Sequence, residues 1–261
     1  MKEKLNLPII SLIVLVVWAI IVLGGEILQA GQSSLDALVT EQIVISLIIA
    51  PIFLFGVVAY FKWSKIELGL KPAQKWHILI LPALFVLAFM GIAAAIGLPP
   101  TSMIVFALIN SLLVGIAEEL MFRGIIFRGA LALPRVKIWS AIWITSLLFG
   151  AIHSLNGFLT GEFLPAIAQA FAAIISGVWL HAIRLRTKSL YPVMLIHALW
   201  DFSIFLMAAS VASGGVPTPN TNELSAAQQL LPALILPLPL FFYGLWLLRG
   251  IGKKDKAEIL A

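Results

Sequence analysis

Apolar residues run through this chain in eight long stretches, separated by short segments where charged residues, Gly and Pro gather. The stretches cover residues 7–28, 43–61, 78–96, 103–127, 138–155, 163–183, 190–211 and 230–248. Each is close to the roughly 20 apolar residues that a helix needs to cross a hydrocarbon layer of about 30 Å. The pattern predicts an all-α fold, a polytopic membrane protein of about eight transmembrane helices forming a single transmembrane domain over 1–261. No loop is long enough to hold a second domain. The longest, 212–229, is rich in Gly, Pro, Ser, Thr and Asn and is expected on the outer face, while 62–76 is expected to lie along an interface. Pro232, Pro237 and Pro239 predict a kinked or broken eighth helix. The chain carries no inverted repeat of the kind common in transporters. Lys2 and Lys4 precede the first stretch as in a signal peptide, but the apolar core exceeds the usual 7–15 residues. An uncleaved helix is the expectation.

Composition agrees with this reading. The chain of 261 residues is 61% hydrophobic and 11% charged, against about 45–50% and about 25% in soluble domains. It has no cysteine, which excludes disulfides, thiolate metal sites and a catalytic thiol. The net charge of +5 does not point to nucleic acid, because the basic residues follow the membrane pattern. With eight spans, all 17 Lys and Arg fall on one side. They lie before the first stretch, between the second and third, at or after the end of the fourth, after the sixth and after the eighth. The opposite loops hold Glu26, Asp36, Glu41, Glu162 and Glu223 but no basic residue. The positive-inside rule then places both termini in the cytoplasm, and the expected location is the cell membrane, multi-pass.

Within this apolar background the fourth stretch carries Glu118, Glu119 and Arg123. A charged group at the centre of a membrane helix costs on the order of 2.5–3.5 kcal/mol on insertion scales, so it is a functional-site hypothesis by default. Residues four apart nearly superpose on a helix, so Glu119 and Arg123 are expected to pair, in the favourable order. Glu118 points elsewhere and is left free to act as a general base. The alternative is that both acids only lock helices together. Two histidines lie deep in other stretches. Phe149 precedes His153 by one turn, and Asp201 follows His197 by one turn. His77 and His181 lie near the cytoplasmic ends and are read as ordinary. Counting from the loops puts Glu118 near the cytoplasmic face and His153 far from it. They meet if the fourth helix leaves the membrane near Arg128 and the fifth enters near Trp143, which sets the site about 10–15 Å below the cytoplasmic surface. The chain lacks His-Glu-x-x-His, Gly-x-Gly-Asp and Gly-x-Ser-x-Gly. A glutamate-and-histidine site remains, metal-free or metal-bound.

Glu118-Glu119-x-x-x-Arg123, Phe149-x-x-x-His153 and His197-x-x-x-Asp201, in that order at membrane depth, resemble the signature of the CAAX protease and bacteriocin-processing family, which includes the type II CAAX prenyl proteases. The resemblance covers residues 110–203, taken as the core that carries the three motifs. It implies an intramembrane endopeptidase with a cavity open to the cytoplasm and to lipid, cutting a membrane-associated peptide or small membrane protein near the cytoplasmic surface. Glu118 with His153 would activate water, and His197 with Asp201 would stabilise the oxyanion. Glu119, Arg123 and Phe149 would support the site. Asp201 stands where many members have Asn, and an ionised Asp donates no hydrogen bond. The expectation is a site without a cofactor. Its alternative is a zinc ion on Glu118, His153, His197 and Asp201. Two other functions are carried beside the protease: a non-catalytic scaffold that regulates a partner protein, and a proton-coupled transporter.

Overall fold

The computed structural model describes residues 2–30, 35–214, 225–253 and 255–260. Glu223 and the middle of the expected outer loop, 215–224, lie outside the described residues. The chain folds into helices α1 (Lys2–Ala30), α2 (Leu35–Glu41), α3 (Ile45–Tyr60), α4 (Lys65–Leu68), α5 (Ile80–Ile96), α6 (Thr101–Glu119), α7 (Phe127–Ala132), α8 (Ile138–Ser154), α9 (Asn156–Thr160), α10 (Phe163–Thr187), α11 (Tyr191–Ser213), α12 (Ala226–Ile235), α13 (Leu238–Leu247) and α14 (Lys256–Leu260). A π-helical segment, Leu120–Ile126, joins α6 to α7 without a break. No strand occurs among the described residues. Helices are what lipid permits, since every backbone polar group must be satisfied within the chain.

All eight apolar stretches become helical, and among the described residues seven helical runs are long and apolar enough to cross a membrane. The exception is α3, with 16 residues. Its shortness has a local cause. The Val44 backbone N–H donates to Asn110 Oδ1 (3.0 Å), while Asn110 Nδ2 donates to the carbonyls of Val39 (2.8 Å) and Gln42 (2.7 Å). Asn110 lies nine residues into α6, about 13 Å below its outer end at 1.5 Å per residue. The connection from α2 to α3 therefore dips into the bundle, and α3 starts at depth. Gln29 helps to satisfy that buried loop, bonding the Ile43 carbonyl (2.7 Å) and the Ile45 N–H (2.9 Å). The predicted break in the last span falls where α12 gives way to α13 at Leu236 and Pro237.

One end of the bundle gathers the basic loops. Arg128 pairs with Glu67 (2.6 Å), and Arg184 Nη2 donates to the Glu67 carbonyl (3.3 Å). Ser189 donates to the Lys71 carbonyl (2.6 Å), Arg186 Nη2 to that of Arg249 (2.7 Å) and Lys256 Nζ to that of Leu133 (2.7 Å). These bonds clasp the loops after α3, α7, α10 and α13 together. His181 is fully buried nearby, with Nδ1 bonded to the Gly177 carbonyl (2.7 Å) and Nε2 to Thr145 Oγ1 (2.9 Å). That is the structural role expected of it.

Candidate active site

Close helix crossings bring the three motifs together. A Cβ added at Gly115 would stand 2.7 Å from the Met194 carbonyl oxygen and 2.9 Å from Ala198 Cβ. Only a residue without a side chain lets α6 and α11 approach this closely. Glu119, one turn after Gly115, then reaches His197 across the crossing. Gly150 does the same for α8 against α10, where a Cβ would meet the Ala170 carbonyl oxygen at 2.6 Å. Gly115→Val is therefore expected to force the two helices apart. Its overpacking cost of about 1–3 kcal/mol should appear as an earlier thermal unfolding of the purified protein, with Gly115→Ala less affected.

Glu119 is fully buried and holds two partners on one oxygen. Oε1 accepts from Arg123 Nη1 at 3.0 Å and from His197 Nδ1 at 2.6 Å. Helical spacing anticipates the first bond but not the second, which makes Glu119 the residue that orients the imidazole. Arg123 lies in the π-helical segment, an irregularity often found at functional sites. Its guanidinium also stacks 4.2 Å from the centre of the Phe149 ring. Phe149 in turn meets His153 edge-on, with centroids 4.5 Å apart.

With Nδ1 bonded to Glu119, His197 turns Nε2 towards Asp201 Oδ2 (3.4 Å) and Glu118 Oε2 (3.7 Å). Carboxylate oxygens thus face both ring nitrogens, an arrangement suited to a ring that donates from each. His153 is set up differently. Its Nδ1 is 2.8 Å from the Phe149 carbonyl oxygen. A carbonyl only accepts, so the assigned neutral tautomer carries its proton on Nδ1 and presents a lone pair at Nε2. Glu118 Oε2 is buried without a hydrogen-bond partner, unlike the paired Glu119 Oε1. Glu119 Oε2 is likewise without a hydrogen-bond partner, while Glu118 Oε2 has His197 Nε2 at 3.7 Å.

These groups line two adjoining cavities. The larger, about 780 Å³, has His153, His197 and Asp201 on its wall beside Phe149, Trp179 and Trp200. The smaller, about 110 Å³, is lined by Trp18, Glu26, Glu118, His153 and Asp201 among others. His153, Asn156, Gln169 and Asp201 border both. Glu26 is a correction. Read from the sequence as an outer-loop acid, it lies in the last turns of α1 and is only 8% exposed. Trp18, Val22 and Glu26 recur every fourth residue and all three are buried. That buried stripe is the signal that places Glu26 inside.

At 1.5 Å per residue, His197 lies about 9 Å and Asp201 about 15 Å from the basic end of α11. Glu118 and His153 lie about 21 Å and 22 Å from the basic ends of α7 and α8. They converge because α7 and the first turns of α8 project past the level where α11 begins. Among the described residues, no three His, Asp or Glu side chains are grouped as metal ligands.

Residues 100–203, the stretch holding Glu118, Arg123, Phe149, His153, His197 and Asp201, match the family described as type II CAAX prenyl endopeptidase Rce1-like. No match was found among curated proteins or among solved structures. Over residues 100–203, the chain is similar to the CAAX protease and bacteriocin-processing family, to which the type II CAAX prenyl endopeptidases belong.

Proposed function

We propose that the protein is a metal-independent endopeptidase of the cell membrane, hydrolysing a peptide bond in a membrane-associated peptide or small membrane protein. The observation that carries this is the convergence of Glu118, His153 and His197 from three helices where the two cavities meet. The small chamber has room for water and the polar partners that water requires. One hydrogen of that water is given up to Glu118 as its oxygen attacks the carbonyl carbon. The other is held by the His153 Nε2 lone pair, which sets the direction of attack. The charge developing on the carbonyl oxygen accepts from His197 Nε2–H, whose resting partner is Asp201. When the tetrahedral intermediate collapses, the C–N bond breaks and Glu118 returns its proton to the leaving amine. Glu119 keeps the His197 ring in place throughout, and Arg123 neutralises Glu119. The larger cavity lies in the usual size range of ligand sites and suits an extended segment of peptide.

The test compares membrane-peptide populations of cells carrying wild-type protein or His153→Ala. A precursor that accumulates only with the variant is expected, and identical populations would count against the reading. With that precursor as substrate, EDTA or 1,10-phenanthroline is expected to leave the cleavage rate unchanged. Loss of activity that added zinc restores would replace the metal-free mechanism.

A further inference from the structure

The two cavities and the basic loops lie at opposite ends of the molecule. The lining of the larger cavity includes Thr160, Glu162, Pro165 and Gln228, from the α9–α10 connection and the start of α12. Glu162 and Gln228 are exposed, whereas Trp179 and Leu180 at the far end of the same cavity are buried. The smaller chamber has the same polarity. It is built from Glu26 in the last turns of α1, Val39 of α2, Leu47 in the first turn of α3 and His153 in the last turn of α8. Along the helices, His153, Glu26 and Gln169 lie about 2 Å, 6 Å and 9 Å from the ends facing away from the basic loops. The Lys and Arg clusters bonded through Glu67, Lys71, Leu133 and Arg249 are all at the other end.

We infer that the active-site cavity opens to the extracytoplasmic side, so that the substrate segment enters from that face and leaflet rather than from the cytoplasm. The positive-inside rule holds the basic end in the cytoplasm, and the bundle then fixes the mouth on the other face. This departs from the cytoplasmic opening implied by the family resemblance. It also narrows the substrate class. Among the described residues, no Lys or Arg lines either cavity, while Glu26, Glu118, Glu162 and Asp201 do. Acidic segments are therefore repelled, and neutral or basic ones are accepted. Asn156, Gln169 and Gln228 on the walls carry amides of the kind that pair with an extended backbone. The preferred substrate is a membrane-inserted precursor whose neutral or basic stretch is exposed at the extracytoplasmic surface. Only this substrate statement rests on the proteolytic reading.

The orientation is tested without reference to activity. The chain has no cysteine, so single-cysteine variants need no background changes. Ala172→Cys and Ser176→Cys report the cavity wall, Glu162→Cys its mouth, and Lys137→Cys the basic end. Intact cells are treated with a membrane-impermeant cationic methanethiosulfonate, before and after permeabilisation. The mouth and wall variants are expected to react in intact cells, and Lys137→Cys only after permeabilisation. Reaction of Lys137→Cys from outside overturns the inference. So does reaction of Ala172→Cys and Ser176→Cys only after permeabilisation, or a failure of both to react from either side. A protein labelled as expected but unable to cleave any precursor keeps the orientation and loses the protease reading.

Discussion

Glu118→Gln is expected to stop cleavage while leaving the helix bundle as stable as before. The substitution keeps shape and removes the ability to take a proton. Losing a positioned general base costs about 10²- to 10⁴-fold in rate, and the loss should fall on kcat rather than KM. The bundle is spared because Glu118 is outside the ion pair that holds the motif helix. Its own contact with His197 Nε2 is a loose 3.7 Å. The measurement is single-turnover cleavage of the accumulated precursor, beside thermal unfolding of both proteins in the same detergent. Wild-type cleavage by a folded Glu118→Gln protein would remove Glu118 from the mechanism. An unfolded variant would move it to the structural class of Glu119.

Arg123→Met is expected to fail in the opposite way, through stability first. Arg123 and Glu119 both have side chains with 0% exposure and are 3.0 Å apart. Removing the cation leaves a buried carboxylate uncompensated, at a cost of about 3–5 kcal/mol. In a chain of this size that corresponds to a fall in Tm on the order of 10 °C. The stacking of the guanidinium on Phe149 is lost as well. The double variant Arg123→Met/Glu119→Gln is more informative than either single one. With both charges of the pair removed together, most of the stability should return. Activity should not, because His197 Nδ1 then lacks the carboxylate that orients it at 2.6 Å. Arg123→Met unfolding no earlier than wild type would show that the pair does not hold the helix. Recovery of both stability and activity in the double variant would show that Glu119 does not orient the ring.

What the sequence makes legible here is set by helix geometry. Glu119 with Arg123, Phe149 with His153 and His197 with Asp201 are each four residues apart, and all three pairs are in contact. A helical repeat suffices to foresee them. Hydropathy likewise locates the apolar helices, because length and composition decide whether a segment crosses lipid. The contact of Glu119 with His197 depends on how closely α6 and α11 cross, and a single glycine among several in the chain sets that. Glu26 reaches the site from a helix ninety residues away in sequence, with no motif of its own. The depth and the mouth of the site depend on where helices end relative to one another. Hydropathy treats each stretch separately and carries no such information. The short α3 was hidden for the same reason, since its start is fixed by Asn110 on a later helix.

The Asn110 clasp also imposes an order on assembly. The backbone groups of residues 39, 42 and 44 sit at membrane depth and are satisfied by an amide that is synthesised some 66 residues after the last of them. Until α6 enters the bilayer, those three groups lack the amide that satisfies them, even though Gln29 is already present for residues 43 and 45, and the loop is expected to stay at the aqueous surface. The two apolar segments that flank this loop are thus inserted before α6 but seated only after it. The chamber they help to enclose closes only once the helix bearing Glu118 has arrived.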